Sequence, residues 1–340
     1  MTTELANTLN KSLSIGNRSI AKRLVLAPMA FVGTIAFREL VEKFGGYGLL
    51  FTEMCSAKRI QNENRYISSC FRWRDPELGY LVCQIFGSDP AIMAAAAQRI
   101  ETEGFFGIDI NFGCSDASIC RQNCGAAILK APDLAARIVA AVRKSVSIPL
   151  FVKFRTGWKD DPQTAVDLAK RFEDAGADAL TYHPRVAPDR RSRPPKWAYI
   201  GMVKRTVSIP VFGNGNVFDQ QDCWNMLQTT GCDGVAIGRM AIARPWLFAE
   251  WSDGLKVDKK IYFETASSLA KLMLKHFSPT KALRRFKRFA FYFSANFKFG
   301  HTLFTGIQNA HNMQEAETIL FRFFKTPAET LSKPNMNFFS

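Results

Sequence analysis

The sequence predicts an α/β protein, built as a (β/α)8 barrel followed by a small all-α C-terminal domain. Eight apolar segments, most of them followed by an amphipathic helical segment, occupy about 230 residues between positions 24 and 255. That number of repeats in that length is typical of an eight-stranded barrel. The segments are almost continuously apolar, as expected for parallel strands that are buried on both faces. After residue 255 the helical patterns continue without a clear strand.

The eight segments and the helices between them can be located from local signals. The predicted strands are 24–28, 48–54, 80–87, 107–113, 148–158, 178–185, 209–217 and 234–240. The predicted helices between them are 34–46, 89–104, 133–144, 164–176, 199–205 and 219–231. Asp89 is a typical N-cap residue, and Gly46 is a typical helix end. A doubly wound sheet is the alternative, but it normally has a glycine-rich fingerprint after its first strand, where this chain has LVLAPMAFVG.

Composition limits the domain count and the compartment. The chain has 340 residues, and 47% of them are hydrophobic, which is enough for one large domain, 1–255, and a smaller one, 256–340. No apolar run approaches the roughly 20 residues that span a bilayer, and the N-terminus lacks the pattern of a secretory signal. The eight cysteines lie mostly in apolar runs and read as reduced thiols. We therefore expect a cytoplasmic protein that is not embedded in a membrane.

The charge points to a polyanionic partner. The formal net charge is +15 and the pI is about 9.6, which favours nucleic acid or an anionic membrane surface, although many basic proteins bind neither. The predicted helical domain contains a dense basic run, formed by Lys281, Arg284, Arg285, Lys287 and Arg288. This run is either the solvated face of an amphipathic helix or a surface that contacts phosphates. The second interpretation is favoured, because the barrel half is basic as well.

Candidate functional residues stand where the predicted strands end, which is where barrel enzymes place their active sites. They are Pro28, Met29, Glu53, Gln84, Asn111, Cys114, Lys153, Arg155, His183, Arg185, Asn214, Asn216, Gly238 and Arg239. Cys114 follows a strand and precedes a polar loop, a position suited to a reactive thiol, although most free cysteines are small buried hydrophobes. His183 taken alone is equally compatible with a core histidine.

The last two strand ends suggest a phosphorylated cofactor. Barrels often bind phosphate with the loops after strands 7 and 8. Here those loops contain 213–216, read as GNGN, and Gly238-Arg239, where glycines let the backbone approach an anion. Lys153 lies inside an apolar strand, where an unpaired ammonium is costly, so a surface ion pair is the less favoured interpretation. A flavin whose ring system contacts Lys153 fits both features.

These residues also form a set of motifs. The set consists of Ala27-Pro28-Met29, Thr52-Glu53-Met54, Gln84, Asp109-x-Asn111-x-Gly113-Cys114, Gly125 to Leu129, Val152-Lys153-x-Arg155-x-Gly157-Trp158, His183-x-Arg185, Asn214-Gly215-Asn216 and Ile237-Gly238-Arg239. With them, the chain resembles the tRNA-dihydrouridine synthases from about residue 24 to 248, and less clearly through the helical tail. Three residues depart from the family pattern, namely Ser115, Pro184 and Asn216. The loop 185–197, which contains Arg190, Arg191 and Arg193, is unusually basic.

The resemblance implies an FMN-dependent oxidoreductase that reduces the C5–C6 double bond of uridine in RNA, with NADPH as reductant and tRNA favoured as substrate. Hydride would pass from N5 of reduced FMN to C6, and Cys114 would give a proton to C5. The target uracil would be swung out of the RNA to reach the barrel. The implied FMN contacts are Pro28, Met29, Gln84, Lys153, His183, Asn214, Gly215, Asn216, Gly238 and Arg239. The implied RNA contacts are Asn111, Arg155, Arg185, Arg284, Arg285, Lys287 and Arg288.

Several alternatives stay open at this stage. One is an FMN-dependent reductase of a small molecule such as dihydroorotate or an enone, which would need neither the charge of +15 nor a basic tail. Others are a dihydrouridine synthase acting on ribosomal RNA and a non-catalytic RNA-binding relative, the second of which the presence of Cys114, Lys153 and His183 together disfavours. A metal or iron–sulfur site at Cys114, Cys120 and Cys124 is disfavoured, because the spacing matches no common ligand pattern. We predict no metal and no obligatory protein partner.

Overall fold

The computed structural model describes residues 2–187, 189, 193–326, 328–335 and 338. Arg190 and Arg191 of the predicted basic loop therefore lie outside the described residues. Arg193 is described, and its guanidinium lies 3.8 Å from the Asp189 carboxylate. The chain divides into two compact units, which are taken in turn below.

The first unit comprises Met1–Pro28 and Tyr47–Ile237 and contains a closed barrel of eight parallel strands. The strands are β1 (Leu24–Leu26), β2 (Leu49–Phe51), β3 (Leu81–Phe86), β4 (Gly107–Phe112), β5 (Leu150–Gly157), β6 (Ala179–Val186), β7 (Val211–Asn214) and β8 (Gly234–Ile237). Each strand pairs with the next one along the chain, and β8 pairs with β1 to close the ring. The predicted eight-stranded barrel is thus confirmed.

Several observed strands are shorter than predicted, for reasons that lie in the backbone. The predicted strand 209–217 shrinks to Val211–Asn214. Pro210 has no N–H to give to a neighbouring strand, and the next residues after Asn214, Gly215 and Asn216, have positive φ angles of 117° and 55°. A strand cannot continue through such angles, so the chain turns away at the end of β7.

Helices and short elements complete the first unit. Its helical segments are Thr2–Leu9, Ala57–Ile60, Asp75–Tyr80, Pro90–Thr102, Ala117–Cys120, Gly125–Lys130, Pro132–Ser145, Pro162–Asp174, Ala198–Thr206 and Gln220–Thr230. The predicted N-cap is observed, since the Asp89 carboxylate accepts a hydrogen bond from the N–H of Ile92 at 2.9 Å. The short strand Cys55–Ser56 pairs in parallel with β3.

The barrel interior is apolar at its N-terminal end. Side chains from the strands form one core cluster there with Ile15 and Ile20, which belong to an antiparallel hairpin of Leu13–Ile15 and Arg18–Ile20. Along β5, inward-facing side chains recur every second residue, so the interior side chain changes from Phe151 in the core cluster to Lys153 and then Arg155. The polar residues of the interior are therefore gathered at the C-terminal end of the barrel.

The second unit comprises Met29–Gly46 and Gly238–Ser340 and is helical. Its helices are Ile35–Phe44, Arg239–Ala243, Leu247–Ser252, Lys260–His276, Pro279–Ser294, Gly300–Asn309 and Met313–Lys325. No helix in the described part of the chain is long and apolar enough to cross a membrane.

The division of the chain differs from the predicted boundary at 255/256. Ile35–Phe44, expected to be the first barrel helix, belongs to the second unit, where the Glu39 carboxylate bonds Lys275 at 2.6 Å and His276 at 2.5 Å. Trp246 is fully buried and lies against the ring of Phe44. These contacts keep the helix with the C-terminal part of the chain, which begins at Gly238.

A pair of adjacent glycines allows a direct test of this packing. Both have left-handed backbones, with φ of 77° at Gly45 and 82° at Gly46. A Cβ on Gly46 would overlap the backbone of Phe248 and Ala249, whereas a Cβ on Gly45 would meet nothing within 4 Å. We predict that Gly45→Ala lowers the free energy of unfolding by roughly 1–2 kcal/mol through backbone strain alone. Gly46→Ala should lower it by roughly 1–3 kcal/mol more, as measured by urea denaturation; equal losses would contradict the packing described.

Candidate active site

The chain at the end of β4 is held in place by the side chain of Asn111. Its Oδ1 accepts hydrogen bonds from the N–H groups of Gly113 at 3.1 Å and Cys114 at 2.9 Å. Its Nδ2 donates to Oε1 of Gln84 on the neighbouring strand at 2.9 Å. The amide is buried, and both its oxygen and its nitrogen make hydrogen bonds. It therefore fixes the direction in which the chain leaves the barrel. Asn111 therefore positions Cys114.

The other side of Cys114 is fixed by the turn at Gly125. The Cys114 carbonyl accepts a hydrogen bond from the N–H of Ala126 at 2.8 Å. Gly125 has φ of 60°, and a Cβ there would lie 2.6 Å from that same carbonyl oxygen. Only glycine permits this approach. The backbone of Cys114 is thus held from two directions, which leaves its side chain as the variable part.

The Cys114 thiol is half-buried. Burial raises its pKa, the Asp116 and Cys120 charges act in the same direction, and the N–H of Asp116 and the charge of Arg155 oppose them. A cysteine with a raised pKa stays protonated at neutral pH. The residue is therefore suited to hold and release a proton.

A buried acid and a buried base lie beside this loop. Gln84 Nε2 donates to Asp109 Oδ2 at 2.6 Å, and burial raises the pKa of Asp109 to about 7. Burial also lowers the pKa of Lys153 to about 8, helped by the charge of Arg155 and opposed by that of Asp109. Lys153 stands opposite Asn111 in the β4–β5 pairing. The interior thus contains two ionisable groups that change charge near neutral pH.

Asn214 and Gly215, where β7 ends, connect Lys153 to the ends of β6 and β7. Lys153 Nζ donates to Asn214 Oδ1 at 3.0 Å, and Asn214 Nδ2 donates to the Ala236 carbonyl at 2.6 Å. A Cβ on Gly215 would lie 2.7 Å from the His183 ring, so glycine lets this loop approach the histidine. Arg185 donates to Asn216 Oδ1 at 3.1 Å.

The candidate residues thus fall into separate groups. The structure brings together in the first unit Gln84, Asn111, Cys114, Lys153, Arg155, His183, Arg185, Asn214, Gly215 and Asn216, and Pro28 follows β1. Met29, Gly238 and Arg239 belong to the second unit. There the Met29 carbonyl accepts from the N–H of Gly33 at 2.8 Å, and Gly238 precedes the helix Arg239–Ala243. The cofactor roles of these residues stay predictions.

The basic run of the C-terminal region is not a single exposed face, which corrects one expectation. Arg285 is only 7% exposed, because it shares the buried face of helix Pro279–Ser294 with Phe289. Its guanidinium lies 4.7 Å from the Phe277 ring centre. Lys287 is half-buried and donates to the Gln308 carbonyl at 2.7 Å. The exposed members of the run are Lys281, Arg284 and Arg288.

A basic groove lies beside the Cys114 loop and was missed by the sequence reasoning. Its volume is about 630 Å³, and its lining includes Arg121, Lys130 and Trp158. The Lys130 ammonium lies 3.8 Å from the Trp158 ring centre, and the indole N–H donates to the Ala126 carbonyl at 2.7 Å. The cation lies over the face of the indole, and the groove combines this pair with Arg121, a grouping of cationic and aromatic side chains that suits an unpaired nucleotide and its phosphates. Asp109 was also missed as a site residue, although a carboxylate inside an apolar strand is a usable signal.

The cysteines form no evident metal centre. All eight are free thiols. Among the residues that the structure describes, no group of three or more histidine, cysteine, aspartate or glutamate side chains is arranged to hold a metal ion. The structure therefore adds no support to the cluster considered for Cys114, Cys120 and Cys124.

Comparisons with known proteins identify the family to which this sequence is similar. The family model described as "Dihydrouridine synthase (Dus)" matches residues 25–325. The chain is 35% identical over 263 residues to tRNA-dihydrouridine synthase B of Pseudomonas aeruginosa, covering 77% of this chain and 78% of that protein. It is 34% identical over 266 residues to the probable tRNA-dihydrouridine synthase of Rickettsia bellii, covering 78% and 81%.

A solved structure supports the barrel fold. The old yellow enzyme from Trypanosoma cruzi matches with a TM-score of 0.54 at 11% identity, covering 74% of this chain and 93% of that one. At that identity the likeness concerns the fold.

The buried acid gives a prediction about pH. An unfolded aspartate has a pKa of about 3.9, so a raised folded-state pKa contributes stability below about pH 4 that is lost as the pH rises through about 7. The lowered pKa of Lys153 acts in the other direction and removes stability as the pH falls through about 8. Asp109→Asn abolishes the first effect. It also removes the attraction that opposes the lowering of the Lys153 pKa, which enlarges the second.

Both changes make the stability of Asp109→Asn relative to the parent protein rise between pH 5 and pH 8.5. The measurement is the difference in thermal midpoint between the two proteins at each pH. Asp133→Asn, which removes an exposed carboxylate that bonds Arg171 at 2.6 Å, controls for the loss of a surface charge. A difference for Asp109→Asn that stays constant with pH would refute the assignment.

Proposed function

The chain belongs to the dihydrouridine synthase family, and from that membership we propose that it reduces the C5–C6 double bond of uridine in tRNA to 5,6-dihydrouridine. Membership of this family implies a flavin cofactor. We assign FMN as that cofactor and NADPH as the reductant that replenishes it. The curated relatives named above are tRNA-dihydrouridine synthases, which supports tRNA as the substrate.

One observation carries the proposal: the thiol of Cys114, whose pKa burial raises, is held by backbone contacts on both sides where β4 ends. Reduction of the double bond adds a hydride to C6 and a proton to C5. A thiol with a raised pKa retains its proton until a stronger base forms beside it. C5 becomes such a base, because hydride addition to C6 increases the electron density on C5. Cys114 Sγ is therefore the proton donor in this proposal, and Asn111 is a positioning residue.

The polar end of the barrel suits a flavin. The Lys153 ammonium has three hydrogens, one of which goes to Asn214, and the charge of Asp109 opposes the lowering of its pKa. Gly215 leaves its loop free of a side chain next to His183. When bound, the flavin supplies the hydride for C6. Lys153 would contact its ring system, the loop from Asn214 to Asn216 would contact its phosphate, and buried Asp109 would influence the charge of Lys153 near neutral pH.

The surface supports RNA over a small molecule. A reductase of a free small molecule needs no cationic surface, whereas this chain has a net charge of +15. The groove beside the Cys114 loop combines Arg121, Lys130 and Trp158. Cationic side chains grouped with an aromatic residue are typical of single-stranded nucleic acid sites. The groove therefore suits nucleotides that flank a uridine turned toward the barrel.

Replacing the thiol separates proton donation from cofactor binding. We predict that Cys114→Ala keeps its flavin and its thermal midpoint but loses dihydrouridine formation by at least about a hundredfold, the usual scale of a lost general acid. The readouts are the flavin absorbance of the purified protein and nucleoside mass analysis of treated tRNA. Cys70→Ala, which removes another half-buried thiol of the first unit, is the matched control and should stay active. Full activity in Cys114→Ala would remove the proposed role.

Reversing charge in the groove should weaken RNA binding. We predict that Arg121→Glu and Lys130→Glu each raise the Kd for tRNA several-fold and reduce its dependence on salt, since each removes about one phosphate contact. Flavin content should not change. Lys144→Glu is the control, because Lys144 is exposed in the last turn of helix Pro132–Ser145, which leads back to the N-terminal end of β5. An equal loss in all three variants would show that only net charge matters.

A further inference from the structure

Phe31 adopts a backbone conformation that phenylalanine rarely takes. Its φ is 68°, and the other non-glycine residues with positive φ in the described part of the chain are Asn123 and Asn216. Asparagine tolerates this region, whereas a bulky residue in it is a genuine outlier. Yet the Phe31 side chain is 52% exposed. The strain is therefore not offset by burial of the ring in a core.

Arginines of one helix hold Phe31 in this state. The Arg288 guanidinium lies 4.0 Å from the centre of the Phe31 ring. Arg285 Nη1 donates to the Phe31 carbonyl at 3.3 Å, and Arg285 is itself buried over the Phe277 ring at 4.7 Å. Just after Phe31, the Gly33 N–H closes a tight turn onto the Met29 carbonyl at 2.8 Å. All these residues belong to the second unit, so the strained loop and its support form one body.

Strain that persists because neighbouring groups enforce it is a marker of function. A half-exposed aromatic ring beside a guanidinium offers a stacking surface and a phosphate contact in one place, which is the combination that binds unpaired nucleotides. Exposed Lys281 and Arg284 on the same helix extend the positive charge around it. A left-handed backbone and a ring that is half exposed to water would not stabilise the protein if the ring served only for packing.

We propose that Phe31 and Arg288 form a stacking platform for an unpaired base of the RNA substrate, with Arg288 also contacting an adjacent phosphate. This inference rests on the proposed function, because it takes the RNA that the enzyme modifies as the ligand. The platform binds bases through their faces, so it contributes affinity with little preference for sequence. Buried Arg285 is the support of this platform, which explains why it does not lie on the exposed basic face.

Glycine provides a favourable test, since it adopts positive φ without strain. Phe31→Gly removes the ring and relaxes the backbone, so its thermal midpoint should equal or exceed that of the parent protein. Its Kd for unmodified tRNA, measured by fluorescence anisotropy at fixed salt, should rise about tenfold. Phe31→Tyr keeps the ring and should stay within about twofold. The matched control is Phe299→Ala, which removes another exposed ring that lies 5.8 Å from a cation, Lys298, and should also stay within about twofold.

The outcomes separate the platform from the function on which it rests. If the parent protein forms dihydrouridine but Phe31→Gly binds tRNA as tightly as the parent, the platform is refuted and the function stands. If Phe31→Gly loses flavin while keeping its affinity for tRNA, the ring serves the cofactor and the platform is again refuted. If the parent protein neither binds tRNA nor forms dihydrouridine, the proposed function fails and the platform with it. An equal loss of affinity in Phe299→Ala would also overturn the assignment of a specific site.

Discussion

The buried amide of Asn111 is the interaction on which the site depends. Asn111 stands on β4, whose neighbouring strands are fixed by the closed barrel. Its Oδ1 accepts hydrogen bonds from the N–H groups of Gly113 and Cys114. Its other end is fixed by Gln84, which is fixed in turn by Asp109. A series of buried hydrogen bonds from Asp109 through Gln84 to Asn111 thus ties the loop that contains Cys114 to the barrel strands. The position of the thiol follows from this chain.

Burial sets the chemistry of the same region. It raises the pKa values of Asp109 and Cys114 and lowers that of Lys153, because each shift favours the neutral form in a medium poor in water. The interior is apolar below this layer, where the hairpin residues Ile15 and Ile20 close the core cluster. One barrel therefore supplies an apolar base and, two residues further along the strands, a polar layer in which Asp109 and Lys153 change charge near neutral pH and Cys114 keeps its proton.

The sequence was sufficient where a residue's environment follows from its own segment. Parallel strands buried on both faces leave continuous apolar runs, so the eight strands were predictable, and Cys114 stood out because a polar loop follows it. The sequence was insufficient where the environment depends on a partner distant in the chain. Nothing local shows that Ile35–Phe44 packs with the C-terminal helices, or that the ring under the Arg285 guanidinium is that of Phe277. The groove at Trp158 was missed because its lining comes from three separate segments.

The activity proposed for this chain is the formation of dihydrouridine in tRNA. The most direct measurement is position-resolved mass analysis of dihydrouridine in separated transfer and ribosomal RNA from cells with and without the gene. We expect dihydrouridine to disappear from a defined set of positions in the tRNA fraction and to return when the parent gene is restored. Unchanged dihydrouridine at every position in both fractions, with flavin bound to the purified protein, would contradict it and favour a flavin reductase of small molecules.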